Sequence, residues 1–311
     1  MNELKSETKN EPSIARRKII KTGTIVRAYS PSGHYWRDNL SLPSALYINK
    51  EDLIFSACHF DENQHKGAFY TEFDPPMIEK VRLLTALILP IGYNYGTVLP
   101  YPLYHSCRID SRTDLREFVI SKEIIDSMSS SFTEKNLLAR KDGPYPPKFW
   151  GPKYKFRDQN SPVALQKKIF DAIDLQDSVL MRGLSCLVKS SMLSLHYHFF
   201  EAAIYMLYVS LDASFSLVMR TLHANGIGSP SAYDAGICVE NAFGEEASGM
   251  KYFEEYYEDR IKVMHPDNRL GVYPYAPIAH DDFYLLYEGL REIYRFLILE
   301  DNLDLAADQI S

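Results

Sequence analysis

The sequence predicts an α+β protein in which a β-rich N-terminal domain is followed by an all-α helical bundle. Three observations predict this class. Short runs of β-branched and aromatic residues, broken by Pro, Gly, Asn and Asp, fill the first half of the chain. After residue 160 the apolar residues recur at spacings of three and four, which is the period of an amphipathic helix. Residues 141–152, between the two patterns, are too rich in Pro and Gly for regular structure.

These patterns divide the chain into three segments. Residues 1–20 form a polar tail, residues 21–158 a β-rich recognition or regulatory domain, and residues 159–311 the helical domain. The elements expected in the β-rich domain are strands and two helices. The strands are 24–29, 45–48, 53–57 and 68–73, and the helices lie near 76–87 and 121–130.

The helical domain is expected to begin at Ser161 and Pro162, because a hydroxyl at the N-cap and a proline in the first turn suit a helix start. Helix then runs to about Leu222 with a break near Ser190 and Ser191, and a short helix follows over 233–243.

Two further helices carry apolar stripes at spacings of three and four. The first ends at Pro266, since the residue before a proline is pushed out of the α region. Its stripe is Met250, Phe253, Tyr257, Ile261 and Met264. The last helix opens at Asp281 and Asp282, whose carboxylates suit the positive end of the helix dipole. Its stripe is Phe283, Leu286, Leu290, Ile293 and Leu297.

The charge is distributed unequally. The whole chain has a formal net charge of −7, and residues 161–311 carry 11 Lys and Arg against 22 Asp and Glu. Such a surface is unsuited to holding a long polyanion without preference. Any nucleic-acid chemistry therefore needs a small, locally basic cleft or positive surface from the N-terminal half.

The four cysteines are scattered without a C-x-x-C pair, which is typical of a reduced cytosolic protein rather than of a disulfide framework or a zinc site. The N-terminus is polar, and the longest apolar run, residues 81–91, is too short to span a bilayer. We expect a soluble cytoplasmic protein with no membrane association, metal or cofactor.

The segment with the clearest chemical potential contains Arg260 and His265. An imidazole takes and returns a proton near neutral pH, and a guanidinium offers forked donors to phosphate oxygens. The pair suits attack by a ribose 2′-hydroxyl on the adjacent phosphate. His265 would be the general base or acid, and Arg260 would stabilise the phosphorane without a metal.

Helix geometry sets a condition on this pair. Five residues of regular α-helix leave the two side chains about 140° apart. Either the helix loosens before His265, or each group meets a partner from a second chain.

An earlier helix offers support for Arg260. Its polar stripe is Glu201, Tyr205, Tyr208 and Asp212, and its apolar stripe is Ile204, Leu207, Leu211 and Phe215. A carboxylate such as Asp212 in so apolar a segment needs a cationic or hydrogen-bonding partner, and Arg260 is the natural candidate. A structural ion pair or a solvated helix edge would give the same pattern.

Residues 180–299 resemble the HEPN superfamily (higher eukaryotes and prokaryotes nucleotide-binding domain). Its ribonucleases carry an Arg, four to six residues and then a His at a helix end, which here are Arg260 and His265 preceded by Tyr256 or Tyr257. Asp212 is similar to the family's acidic position, and 283–299 to its closing helix. One departure is Ile261, where active members commonly have a polar residue.

The resemblance implies a homodimer whose two Arg–His pairs line one cleft, and a role in RNA cleavage by toxins or anti-phage abortive-infection effectors. A metal-independent endoribonuclease is therefore the leading hypothesis, with Arg260 and His265 as catalytic residues and Asp212, Glu201 and Tyr257 as supporting ones. The N-terminal domain would sense a protein partner and gate the nuclease. The alternative is a non-catalytic module for dimerisation or for nucleotide or protein binding.

Overall fold

The structure is a computed structural model that describes residues 22–29, 36, 38–50, 53–61, 78–90, 102–109, 112–130, 163–194, 197–242, 252–264 and 280–299. These residues form a five-stranded sheet and eight α-helices, six of which follow residue 162. The mixed α+β class is thereby confirmed, with the sheet in the N-terminal region and the helices mostly in the C-terminal one. The polar tail and the Pro- and Gly-rich segment 141–152 lie outside the described residues.

The sheet is antiparallel throughout, with the order β2-β3-β4-β1-β5. Its strands are β1 (Thr22–Tyr29), β2 (Leu40–Ser41), β3 (Ala45–Lys50), β4 (Leu53–Asp61) and β5 (Pro102–Ile109). The strands expected at 24–29, 45–48 and 53–57 are confirmed, whereas β2 and β5 were not predicted. The strand expected at 68–73 lies outside the described residues.

Both faces of the sheet are buried, because successive side chains of a strand point to opposite faces. Ile25 and Tyr29 of β1 enter a large core shared with the helices. Val26 and Ala28 of the same strand enter a smaller core, which Met128 of helix α2 helps to close. Among the described residues, the sheet is therefore the middle layer between the main helical layer and a smaller layer that contains α2.

The helices confirm most of the predicted positions. They are α1 (Ile78–Ile88), α2 (Lys122–Ser130), α3 (Val163–Ala172), α4 (Ser178–Ser194), α5 (Phe200–Ala224), α6 (Ala232–Ala242), α7 (Tyr252–Met264) and α8 (His280–Leu299). A short 3-10 helix, Tyr197–Phe199, precedes α5. The expected helix start at Ser161 and Pro162 lies outside the described residues.

The break predicted near Ser190 and Ser191 was placed a few residues too early, since α4 continues through both residues to Ser194 and α5 begins at Phe200. Ser191 is buried, and its hydroxyl donates to the Val188 carbonyl one turn earlier, so the helix satisfies it internally. A second interruption, which was not predicted, lies before α4, where Asp177 caps the helix by accepting from the Val179 and Leu180 amides.

One hydrophobic core runs through the two regions that the sequence separates. Ile25 of β1 and Leu87 of α1 belong to the same buried cluster as Leu207 of α5 and Leu290 of α8. Arg82 of α1 adds a polar link, because its Nε donates to the Phe170 carbonyl at 2.5 Å. The predicted boundary near residue 158 lies outside the described residues.

Helix α5 is the central element of the helical layer and packs most extensively against α4. Among the described helices, it alone is long and apolar enough to cross a membrane by length and composition. The most apolar window of α5 is 56% buried inside the protein. Its hydropathy is therefore accounted for to a large extent by its place in the core.

Candidate active site

Helix α5 presents its apolar stripe to the core as predicted. Ile204, Leu207 and Leu211 are buried, and Phe215 is partly buried against the ring of Phe253 from α7. Only the C-terminal part of the predicted polar stripe of α5 is placed at α7. It places Asp212 and Tyr208, one helical turn apart, at the contact between the two helices.

Helix α7 is rotated relative to its predicted orientation. In the expected stripe, Tyr257 is 51% exposed and Met264 is 37% exposed, so those two positions were assigned to the wrong face. Phe253 of the expected stripe is buried as predicted, but the other buried residues are Tyr252 and Val263, with Arg260 partly buried beside them. A tyrosine side chain can be either buried or exposed. The tyrosines of α7 therefore allow two different faces of the helix to be predicted as the buried one. The observed rotation turns Arg260 toward α5.

Arg260 and Asp212 form the ion pair expected from the sequence. The Arg260 Nη2 atom lies 2.9 Å from Oδ2 of Asp212, and the two side chains are 24% and 45% exposed. The guanidinium carbon also lies 5.3 Å from the centre of the Tyr257 ring, a cation–π contact. Tyr257 and Asp212 thus hold Arg260 at the surface end of the α5–α7 contact.

One donor of this guanidinium is left over. The Nε atom of Arg260 is buried and has no hydrogen-bond partner in the described structure. A buried donor without an acceptor lowers stability, so it marks either a strained contact or a group that a ligand completes.

The electrostatics of Asp212 fit a partly desolvated pair. Burial raises the pKa of this carboxyl, and the charge and hydrogen bond of Arg260 lower it without offsetting the burial.

Tyr208 also lies near Asp212 and Arg260. It was predicted as part of the polar stripe of α5 but not as a site residue. Its side chain is 1% exposed, and its hydroxyl has no hydrogen-bond partner among the described residues. Burial raises its pKa, and the nearby charges of Asp259, Tyr256 and Asp282 raise it further. Its spacing of four residues from Asp212 was the available signal.

Glu201, the other acidic supporting residue, lies at the far end of α5. Eleven residues of helix place it about 16 Å from Asp212 along the axis. Its Oε1 atom accepts a hydrogen bond from the Tyr205 hydroxyl at 3.2 Å. The structure therefore brings Asp212, Tyr257 and Arg260 together and leaves Glu201 outside that group.

His265 and Pro266 lie outside the described residues, and α7 is described as far as Met264, the residue before His265. The predicted convergence of Arg260 with His265 thus stays a prediction. Within the described part of the chain, no group of three or more His, Cys, Asp or Glu side chains is arranged to hold a metal ion.

Comparison of this chain with protein-family models, with curated proteins and with solved structures finds no match.

Proposed function

We propose that this protein is a metal-independent endoribonuclease of the HEPN type, centred on Arg260 and His265. The observation that carries the proposal is the state of Arg260. Its guanidinium is fixed by Asp212 and Tyr257, is partly open to solvent, and keeps a buried Nε donor without a partner. His265 follows five residues later in the chain.

This arrangement suits a phosphate ligand. The N–H groups of a guanidinium are all donors, and the oxygens of a phosphate are acceptors. Two parallel N–H donors of one guanidinium can therefore bind two oxygens of one phosphate. In the proposed reaction the ribose 2′-oxygen bonds to the adjacent phosphorus, and the bond to the 5′-oxygen breaks. His265 acts as general base on the 2′-hydroxyl or as general acid toward the leaving oxygen. The products are a 2′,3′-cyclic phosphate and a 5′-hydroxyl.

Asp212 is a positioning residue in this scheme. A guanidinium on a flexible stem loses conformational entropy when it binds a transition state, and a fixed carboxylate partner removes part of that loss in advance. The surrounding acidic residues of α7, among them Glu258 and Asp259, limit how much further phosphate backbone can bind. Recognition is therefore local to a few nucleotides.

The resemblance to HEPN ribonucleases extends the proposal to biology. The protein would act in the cytoplasm as a toxin or anti-phage effector, as a homodimer with a composite site, and under control of a partner sensed by the β-rich region.

A non-catalytic binding module is the second candidate, and the ion pair itself favours it. An Arg–Asp contact at 2.9 Å between two packed helices is also what a structural pair shows. The acidic surface and Ile261 beside Arg260 agree with that reading.

The deciding experiment incubates purified protein with total RNA, with and without a chelator, and measures 2′,3′-cyclic phosphate ends. Arg260→Ala and His265→Ala should each reduce cleavage by about 100-fold or more, and the chelator should have no effect. Arg220→Ala is the matched control, because Arg220 of α5 also pairs with a carboxylate, Asp177, at 2.7 Å.

Melting temperature and oligomeric state are measured for all three variants and should stay close to wild type. Full cleavage by either site variant, or cleavage that stops in the chelator, contradicts the nuclease. Absence of cleavage by the wild type leaves the binding module as the function.

A further inference from the structure

The aromatic ring of Tyr257 is open to solvent on one side. Tyr257 is 51% exposed, and the guanidinium carbon of Arg260 lies over its ring, 5.3 Å from the ring centre. An aromatic ring has two faces, and a cation over one face leaves the other face free for a second partner. The exposed part of Tyr257 is therefore the face opposite Arg260.

The position of this ring is fixed by a series of contacts. Asp212 of α5 holds Arg260, because its Oδ2 atom lies 2.9 Å from Nη2 of the guanidinium. The cation–π contact then holds Tyr257 against the same guanidinium. The two residues are three positions apart on α7, so helix geometry itself places them on the same face. A ring held in this way loses little conformational entropy when a ligand stacks on it.

Two further residues of α7 extend the exposed ring into an apolar strip. Ile261 is one helical turn from Tyr257 and Met264 is two turns from it, so the three side chains lie along one face of the helix. Met264 is 37% exposed, and Ile261 is partly exposed. An exposed apolar strip with a guanidinium beside it suits a flat aromatic group that is attached to a phosphate.

We propose that Tyr257 is a stacking platform for an unpaired nucleobase and that it restricts this protein to single-stranded RNA. This inference rests on the proposed nuclease function and names the substrate class of the same site. Arg260 binds a phosphate, and the base of a nucleotide joined to that phosphate stacks on the ring face opposite the guanidinium.

The need for a free base face selects the single strand. In a duplex each base is stacked between its neighbours, so neither of its faces is available to a protein ring. Stacking uses the π face that every base has, and it therefore favours no particular base strongly.

The charge of the surface makes a stacking contribution necessary. Glu255 and Glu258 of α7 are exposed on either side of Tyr257 in the sequence, and they repel the phosphates of a long strand. Binding through the backbone alone is therefore weak at this helix. A stacked base adds binding free energy that does not depend on the sign of the surface charge.

The test measures the affinity of short synthetic RNAs for the full chain carrying His265→Ala, a background in which the RNA stays intact. The three probes are an unstructured single strand, a duplex of the same sequence, and a base-free ribose–phosphate strand of the same length. The background protein should bind the single strand about tenfold more tightly than the other two probes. Adding Tyr257→Leu should remove this tenfold preference and leave the affinity for the base-free strand within about twofold.

Three further substitutions in the same background serve as controls. Tyr257→Phe keeps the ring and should restore the binding that Tyr257→Leu loses. Arg260→Ala should weaken the single strand and the base-free strand alike, because both carry the phosphate that it binds. Tyr233→Leu is the matched control, since Tyr233 is 53% exposed and lies on a different helix, α6. It should leave the affinities for all three probes unchanged.

The outcomes distinguish this inference from the nuclease proposal. The platform is overturned if the background protein does not prefer the single strand, or if Tyr257→Leu keeps that preference. A second copy of this chain is another occupant that an exposed tyrosine suits. A change of oligomeric state in Tyr257→Leu, measured by sedimentation, would show that a protein contact covers the ring, and it would also overturn the platform.

The nuclease stands in each of these cases if the wild-type protein forms 2′,3′-cyclic phosphate ends in a chelator. A wild-type protein that forms no such ends overturns the nuclease, and the platform fails with it.

Discussion

Two arginines of the helical region occupy opposite environments. Arg291 of α8 is 1% exposed, and its Nε and Nη2 atoms donate to the carbonyls of Ile88 and Pro90 at 2.6 and 3.1 Å. Its Nη1 atom lies 2.6 Å from a carboxylate oxygen of Glu288. Arg260 of α7 has one carboxylate contact, is 24% exposed, and keeps a buried Nε without a partner in the described structure.

The difference teaches how to separate a structural arginine from a candidate functional one. All three guanidinium nitrogens of Arg291 donate within the protein. Two of the acceptors are carbonyls at the C-terminal end of α1, where the helix dipole favours a cation. Arg260 keeps a donor that a ligand can complete. If this comparison is correct, substitutions at the two positions separate stability from activity.

Replacement of Arg291 should have the largest effect on stability. Arg291→Met leaves the carbonyls of Ile88 and Pro90 buried without donors, and we expect a loss of about 3 kcal/mol in the free energy of unfolding. Urea denaturation measures it. Arg220→Met, which removes a largely exposed arginine, should change stability by less than about 1 kcal/mol. Equal effects of the two substitutions would show that Arg291 is not a clamp between α1 and α8.

Replacement of Arg260 should show the reverse pattern. Arg260→Lys keeps the charge beside Asp212 but removes the planar fork, so stability should change by less than about 1 kcal/mol while RNA cleavage falls at least tenfold. Cleavage rates at saturating RNA and urea denaturation are measured on the same preparation. If Arg260→Lys cleaved RNA at the wild-type rate, charge alone would suffice at this position. The unpaired Nε atom would then no longer support a role for Arg260 in binding phosphate.

The parts of the fold that the sequence predicted are those with a local signal. The stripe of α8 was correct, since Phe283, Leu286 and Leu290 are all fully buried. The pairing of Asp212 with Arg260 was also predictable, because a carboxylate in an apolar helix requires a cationic partner and few are nearby. In both cases the pattern of residues within one helix was enough to make the prediction.

The parts that it missed depend on distant contacts. Arg291 finds its acceptors at Ile88 and Pro90, some 200 positions earlier, and no local pattern reports that. Strand β5 was missed because its place at the sheet edge is set by pairing with β1. The rotation of α7 was misjudged because Tyr257 and Met264 read as core residues, although tyrosine and methionine also tolerate exposure.

The smallest effect concerns two carboxylates of the helical region whose pKa values move in opposite directions. Burial raises the pKa of Asp212 above its ordinary value of 3.8, despite Arg260. Burial also acts to raise the pKa of Asp177, but hydrogen bonds from the Leu180 amide and from Arg220 outweigh it, and the net pKa is lowered.

The linkage between proton binding and folding gives the sign of the pH dependence of stability for each carboxyl. A raised pKa contributes stability below about pH 3.8 that is lost as the pH rises through the folded-state value. A lowered pKa contributes stability above about pH 3.8 that is lost as the pH falls through the folded-state value.

The comparison is made with Asp212→Asn and Asp177→Asn, whose unfolding free energies are measured by urea denaturation from about pH 3 to pH 6. As the pH rises, Asp212→Asn should gain stability relative to wild type, and Asp177→Asn should lose it. The Asp212 effect should be small, because water screens a carboxylate that is 45% exposed. All other titrating groups are shared, so their contributions cancel in each difference. Parallel slopes for the two variants would mean that Arg260 stabilises the charge of Asp212 as firmly as Arg220 stabilises that of Asp177. In that event Arg260 would resemble the structural arginine Arg291, and the proposal that Arg260 is available to bind a phosphate would be wrong.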